Sequence, residues 1–221
     1  MEKMLQNKRT IMILILPALL LFLAFIPIPT MYLFGISLFK SDMLNPAKFV
    51  GLQNYIFLFS KDPYFWSSLC NNIFWMLGNM VLQVLPSFLL AWILTSKVRC
   101  SNVYKGILFL PVALSSTAIS IIWYFGYHGK VGILNQCIRI LTGNEAFDKS
   151  WLLDPKFALI GVMFASAWQW IGYYMVLFLS GFSTVPPELV EAAKIDGAGT
   201  WKIMTRIILP FLLPIINVIV V

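Results

Sequence analysis

Five long apolar runs, separated by polar segments, restrict this chain more than any other feature. They cover about Ile11 to Phe39, Asn71 to Thr95, Gly106 to Phe125, Phe157 to Phe182, and Ile207 to Val221. A helix crossing a bilayer needs about 20 apolar residues. In lipid every backbone N–H and C=O must be satisfied within the segment, so runs of this length fold as helices. A water-soluble alternative fails on composition. Of 221 residues, 60% are hydrophobic and 11% charged, against about 25% charged in a soluble domain. So much apolar surface cannot be hidden in one small core. The expected fold class is all-α, a polytopic transmembrane helical bundle.

The first run is too long for a secretory core of about 7–15 residues, so it reads as an uncleaved anchor helix. Pro17, Pro27 and Pro29 should bend it, since each removes a helix hydrogen bond. Pro86 and Pro111 should bend the second and third runs for the same reason. Tyr64, Phe65 and Trp66 sit at the edge of the second run, where aromatics suit a membrane interface. The last run has 15 residues. At 1.5 Å per residue it spans about 22 Å, short of a core of about 30 Å. It reads as a helix cut in mid-membrane, with the chain a fragment. Of the sixteen Lys and Arg residues, nine fall in the N-terminus and the loops 96–105 and 183–206. The positive-inside rule places those segments, and the N-terminus with them, in the cytoplasm.

Several function classes are disfavoured. The net charge of +7 is spread over short loops, without the basic stripe and interleaved aromatics of a nucleic-acid surface. Cys70, Cys100 and Cys137 have no CxxC spacing and read as apolar fillers. His128 is the single histidine, which leaves little for a metal centre or a histidine-based triad. No GxxxxGK[ST] loop occurs, so the chain has no phosphate loop for ATP hydrolysis. The centres of spans two to five lack Asp, Glu, Lys and Arg, which disfavours a secondary transporter driven by an ion gradient.

Residues 183–210 are the most informative polar segment. Ser183 or Thr184 can cap a helix, Pro186 and Pro187 pre-set its first turn, and Glu188 suits its positive end. Gly197 stops that helix, and Gly199 allows a turn before a second amphipathic stretch around Trp201 to Ile207. Such a helix can dock a partner or lie on the membrane surface.

Glu191-Ala192-Ala193, Gly197, and Ile207-x-Leu209-Pro210 resemble the loop of permeases from binding-protein-dependent ABC importers. Glu-Ala-Ala-x-Ile-Asp-Gly-Ala is similar to the carbohydrate-importing branch. Val50-Gly51-Leu52-Gln53-Asn54-Tyr55, Asp62-Pro63-x-Phe65-Trp66, Phe109-Leu110-Pro111, Trp151-Leu152-x-Asp154-Pro155 and Trp168-Gln169-x-x-Gly172 resemble the first permease of the maltose- and glycerol-3-phosphate-type pair. The resemblance implies the type I importer permease fold with the fifth span incomplete. Residues 1–70 would form an anchor helix and outer loop, and 71–221 the permease domain with a coupling loop at 183–206. It implies a bacterial cytoplasmic-membrane subunit that is not itself an enzyme. Its partners would be a second permease, two ATPase subunits that bind ATP and Mg, and an external solute-binding protein, besides membrane lipid. Glu191, Ala192, Ala193, Asp196 and Gly197 would dock the ATPase.

Polar residues within spans offer candidates for a solute path. Asn72, Asn79 and Gln83 share a helical face, as do Ser116 with Ser120 and Ser166 with Gln169. Trp123, Trp170 and Tyr173 could add aromatic faces. The candidates are Asn79, Gln83, Ser116, Ser120, Gln169 and Tyr173; the same groups could instead join helices to one another.

Overall fold

A computed structural model describes residues 8–41, 47–96 and 98–220, with side chains of the first helix from Ile11 onward. Lys3, Lys97 and Val221, which figure in the charge and span arguments, lie outside the described residues. Two compact units are present, Met1–Leu69 and Cys70–Val221.

In the first unit, α1 (Lys8–Phe25) and α2 (Pro27–Ile36) form an apolar stretch, Ile11–Ile36, long enough to cross a membrane. The break falls at Ile26, before Pro27, whereas Pro17, also expected to bend the run, lies inside α1 without interrupting it. The described residues of the segment read as outer loop include two short strands and a helix. Strands β1 (Phe39–Lys40) and β2 (Lys48–Phe49) pair antiparallel, with the Phe39 and Phe49 rings edge-on at 5.3 Å. Helix α3 (Gln53–Ser60) is tied back by Asn54, whose Nδ2 donates to the carbonyls of Ser37 (2.8 Å) and Phe39 (3.0 Å). Asp62 Oδ1 accepts from the backbone N–H groups of Tyr64 and Phe65, both at 2.8 Å, and starts the next helix.

That helix runs from Phe65 to Thr95 over 31 residues. It comprises α4 (Phe65–Asn79), a π turn (Met80–Val84) and α5 (Leu85–Thr95). Pro86 cannot donate to the fourth residue before it, and the backbone widens into the π turn just upstream. The bend expected at Pro86 is thus a widened turn. The same arrangement precedes Pro210. There α11 (Thr200–Ile203), a π turn (Met204–Ile208) and α12 (Leu209–Val220) form one helix of 21 residues, about 31 Å long. The last span therefore starts two turns earlier than the apolar run alone indicated, because Trp201, Lys202 and Arg206 belong to the helix.

The third run also departs from expectation. It is not one helix bent at Pro111, but two, α6 (Ser101–Ala113) and α7 (Ser116–Gly126), at 97° to each other. The break lies at Leu114 and Ser115, beyond the proline. Ser115 Oγ accepts from Ala118 N–H and starts the new helix. Helix α8 (Ile133–Thr142) follows, then α9 (Ala158–Phe182) and α10 (Pro187–Ile195).

Helix α9 is the axis of the second unit. Its buried positions include Gly161, Met163, Ala167, Gly172, Met175, Phe178 and Gly181. Successive contacts fix direction. Gln83 meets Ser166, Ser87 Oγ donates to the Ile171 carbonyl (2.8 Å), and Ala91 and Leu94 pack with Met175 and Phe178. Numbers rise together, so α5 and α9 run parallel and finish at the same end. Helix α12 opposes α9, with Leu212 at Gly181 and Ile219 near Tyr173. The α6–α7 pair also opposes it: Leu108 lies at Gly172, Trp123 at Trp168 (5.9 Å), and Tyr127 Oη donates to the Gly161 carbonyl at 2.7 Å. The bent pair thus traverses the bundle as one span. Glycines let backbones approach where these helices cross.

Candidate docking loop and solute groove

The loop after α9 is built from its backbone outward. Ser183 and Thr184 do not cap α10 as expected. Their hydroxyls donate back to the carbonyls of Ser180 (2.6 Å) and Gly181 (2.8 Å) and close the end of α9. Pro186 is extended and Pro187 opens α10, where a missing N–H is harmless. Glu188 lies in the first turn and Lys194 in the last, both favourable to the helix dipole. At the other end Asp196 N–H donates to the Ala192 carbonyl (2.9 Å) and Ala198 N–H to that of Ala193 (2.9 Å). Gly197 has φ +75°, a left-handed conformation that favours glycine.

The two sides of α10 differ. One lines a cavity of about 600 Å³ against the ends of α5 and α9, where Pro187, Val190, Glu191 and Lys194 meet Trp92, Thr95, Ser96 and Phe182. The loop that follows α5 and the one that follows α9 therefore sit at one end of the bundle. Glu191 makes no ion pair among the described residues. The opposite edge carries Leu189, Ala192 and Ile195, the last 86% exposed, and Trp201 stands 76% exposed beyond the turn. Ala193 is half-buried, so the two alanines do not share one bare face. The sequence reading missed Ile195 and Trp201; an apolar residue in a polar loop was the signal available.

Midway along the bundle a groove of about 500 Å³ is lined by Trp75, Asn79, Gln83, Ser166, Trp170, Tyr173 and Tyr174, with Ile219 and Val220 of α12 beside them. Gln83 is 6% exposed. Its Nε2 donates to Asn79 Oδ1 (2.7 Å) and Ser166 Oγ (3.1 Å), while Asn79 Nδ2 donates to the Trp75 carbonyl (3.0 Å). The Trp170 and Tyr173 rings meet edge-on at 5.7 Å. The π turn underlies Met80, Gln83 and Val84 in this wall. Of the six candidates, Asn79, Gln83 and Tyr173 meet here. Ser116, Ser120 and Gln169 do not line it: Ser120 Oγ donates to the Ser116 carbonyl at 2.8 Å within α7, and Gln169 is packed in the interior. Trp75 and Tyr174 were missed, although Trp75 continues the stripe of Asn79 and Gln83 at i−4.

The end opposite α10 is closed by residues 127–157. Asn135 is fully buried; its Nδ2 donates to the carbonyls of Gly129 (2.6 Å) and Lys149 (2.9 Å), and its Oδ1 accepts from Trp151 Nε1 (2.6 Å). Arg139 donates to the carbonyls of Phe147 (2.8 Å) and Lys130 (2.9 Å). Lys149 pairs with Asp154 at 3.2 Å and lies over the Phe157 ring. The Asp154 carboxyl is held below its ordinary value of 3.8, first by the Lys156 backbone N–H at 3.0 Å and then, against some desolvation, by Lys149. A lowered carboxylate contributes stability that is present above its unfolded pKa and lost as pH falls through its folded one. This closure is therefore expected to stay intact through mildly acid pH and to loosen only below about 3.8. Emission of Trp151 during an acid titration checks this, with Asp154→Asn as the insensitive control.

Residues 71–220 match the family of binding-protein-dependent transport system inner membrane components. The chain is 36% identical over 208 residues to the probable ABC transporter permease protein YurN of Bacillus subtilis, covering 93% of this chain and 70% of that one. It is 32% identical over 200 residues to the arabinooligosaccharides transport system permease protein AraP of Bacillus subtilis, covering 90% and 62%. Among solved structures, it superposes with a TM-score of 0.77 and 20% identity on a chain of a bacterial ABC transporter that imports the acidic polysaccharide alginate, covering 95% of this chain and 70% of that one. The chain belongs to the binding-protein-dependent transport family and is a multi-pass permease subunit of the cell membrane.

Proposed function

We propose that this permease carries a sugar, delivered at the end closed by residues 127–157, and couples its passage to ATP hydrolysis in a separate subunit. The observation that carries the reading is the exposed edge of α10, Leu189, Ala192 and Ile195, continued by Trp201 beyond the Gly197 turn. An apolar edge on a short loop helix fits a partner's groove. Glu191, Asp196 and Gly197 complete that site, Glu191 through its charge and Gly197 through the turn that re-aims the chain. ATP and Mg belong to two copies of the ATPase partner. A second, related permease would complete the path, and an external solute-binding protein would supply it. The 183–199 end is cytoplasmic on this reading, and so is the N-terminus.

The groove supports a sugar as solute. Amide and hydroxyl groups beside aromatic faces suit polyhydroxylated rings, and Asn79, Gln83, Ser166, Trp75, Trp170 and Tyr173 supply both. Relatives include permeases named for arabinooligosaccharides, trehalose/maltose and lactose.

Replacing Ile195 with Asp is expected to weaken ATPase capture by about 30-fold, the effect of a hot spot worth about 2 kcal/mol. Glu191→Lys and Ala192→Trp should likewise uncouple uptake. The measurement is pull-down of the ATPase together with solute uptake in membranes. Substituted proteins that insert normally and keep both would overturn the docking reading.

A further inference from the structure

Helix α8 (Ile133–Thr142) is amphipathic in an inverted sense. The side turned toward the protein is polar. Asn135 is fully buried, and Arg139 is spent on the carbonyls of Gly129, Lys130 and Phe147. The side turned away is apolar: Ile133 is 70% exposed, Ile140 82% and Leu141 84%, with Cys137 exposed between them. At 3.6 residues per turn these four make one stripe, with Cys137 near its middle. A surface of this kind is not suited to water.

We propose that α8 lies flat in the bilayer interface at the end of the bundle opposite α10, with the Ile133–Cys137–Ile140–Leu141 stripe set into lipid. The level of the helix carries the argument. Leu134 shares a pocket with Ile160, Gly161 and Phe164, the first two turns of α9. Helix α9 has 25 residues, about 37 Å, and so overreaches a hydrocarbon core of about 30 Å by roughly one turn in all. Leu134 therefore sits at the edge of the hydrocarbon. Trp123, Tyr127, Trp151 and Phe157 line the same pocket, and Trp and Tyr concentrate at that depth. The exposed stripe is thereby continuous with the lipid-facing surface of the spans. A helix held at the interface by its apolar side, with its polar side bonded to the protein, fixes the ends of α7 and α9 to the membrane plane. The placement needs the membrane-spanning fold and not the transport reading.

The native Cys137 supplies the probe. The full chain, purified with its associated subunits, is labelled with bimane after Cys70→Ala and Cys100→Asn; asparagine tolerates the left-handed φ of +60° at position 100. It is placed in nanodiscs containing phosphatidylcholine that is unlabelled, or doxyl-labelled near the headgroup or deep in the acyl chain. The expected result is loss of most emission with the shallow doxyl lipid, less loss with the deep one, and little with aqueous iodide. A single-cysteine Leu141→Cys protein in the Cys137→Ser background should behave alike, guarding against a local effect of one label. Quenching by iodide alone would put the stripe in water and overturn the proposal. Protection from both quenchers would put it under another protein, a partner permease or the solute-binding protein, and overturn it equally.

Discussion

Gly172→Val is expected to abolish the folded bundle. Even a Cβ at this position would run into the carbonyl oxygen of Leu108, with Phe109 Cα only 2.8 Å away. The obstacle is backbone, so no side-chain rotation relieves it, and α6 and α9 would have to part. Overpacking a well-filled site typically costs about 1–3 kcal/mol. A clash with main chain at a helix crossing belongs at the upper end or above. Separation would also strain the Ser87 hydrogen bond to the neighbouring Ile171 carbonyl at 2.8 Å. The melting midpoint in mild detergent, followed by size-exclusion fluorescence, is the measurement. Gly106→Ala is the matched control. It lies on α6, the other helix of this crossing, a Cβ there meets nothing within 4 Å, and alanine favours a helix over glycine by about 1 kcal/mol. A Gly172→Val protein that melts like the Gly106→Ala protein would refute the crossing.

Asn135→Leu is the second large effect, and it should be local. Three hydrogen bonds converge on this fully buried amide. Without it the Lys149 carbonyl and Trp151 Nε1 lose their partners, while the Gly129 carbonyl keeps Arg139 Nη2 at 3.3 Å. Each buried polar group left unsatisfied costs about 1–3 kcal/mol, so with two groups orphaned the closure at 127–157 should lose about 2–6 kcal/mol. Proteolysis within residues 143–150 should accelerate and Trp151 emission shift to the red, while the α5–α9 core melts almost unchanged. Asn135→Asp should be no milder, since a buried carboxylate can accept from Trp151 but would face the Gly129 and Lys149 carbonyl oxygens with no proton to donate.

The sequence was most readable where one physical signal acted alone. Apolar length located the spans, with starts as much as two turns late where polar residues belong to the helix, because lipid demands helices of a set length. The α10 turn was readable because Gly197 must take a left-handed φ. Competing local chemistry hid the rest. Pro111 drew attention as the bend, yet the break came at Ser115, whose side chain could start a new helix. Ser183 and Thr184 looked like caps for α10, but the carbonyls at the end of α9 were nearer. Nothing local foretold the ordering of the polar stretch 126–156, because it rests on Asn135 and Arg139 reaching backbone carbonyls distant in sequence. Three of six path candidates met in the groove. Periodicity within one helix places residues on a face, but does not say which neighbour that face meets; Ser116 and Ser120 fell on a face turned elsewhere.

The parallel pairing of α5 and α9 bears on how the subunit can move. Gln83 to Ser166 and Ser87 to Ile171 act as two polar rungs about one helical turn apart, followed by Ala91 and Leu94 locked against Met175 and Phe178. Sliding one helix along the other would break both rungs at once in a medium that offers no replacement partners. The pair thus behaves as a single beam, with α10 fixed to one end through the closed turn at Ser183 and Thr184. Force applied to α10 would be delivered along that beam rather than absorbed within it. Flexure then falls to the joint at Leu114 and Ser115 and to the contact of α9 with α12, which bounds the groove holding Tyr173.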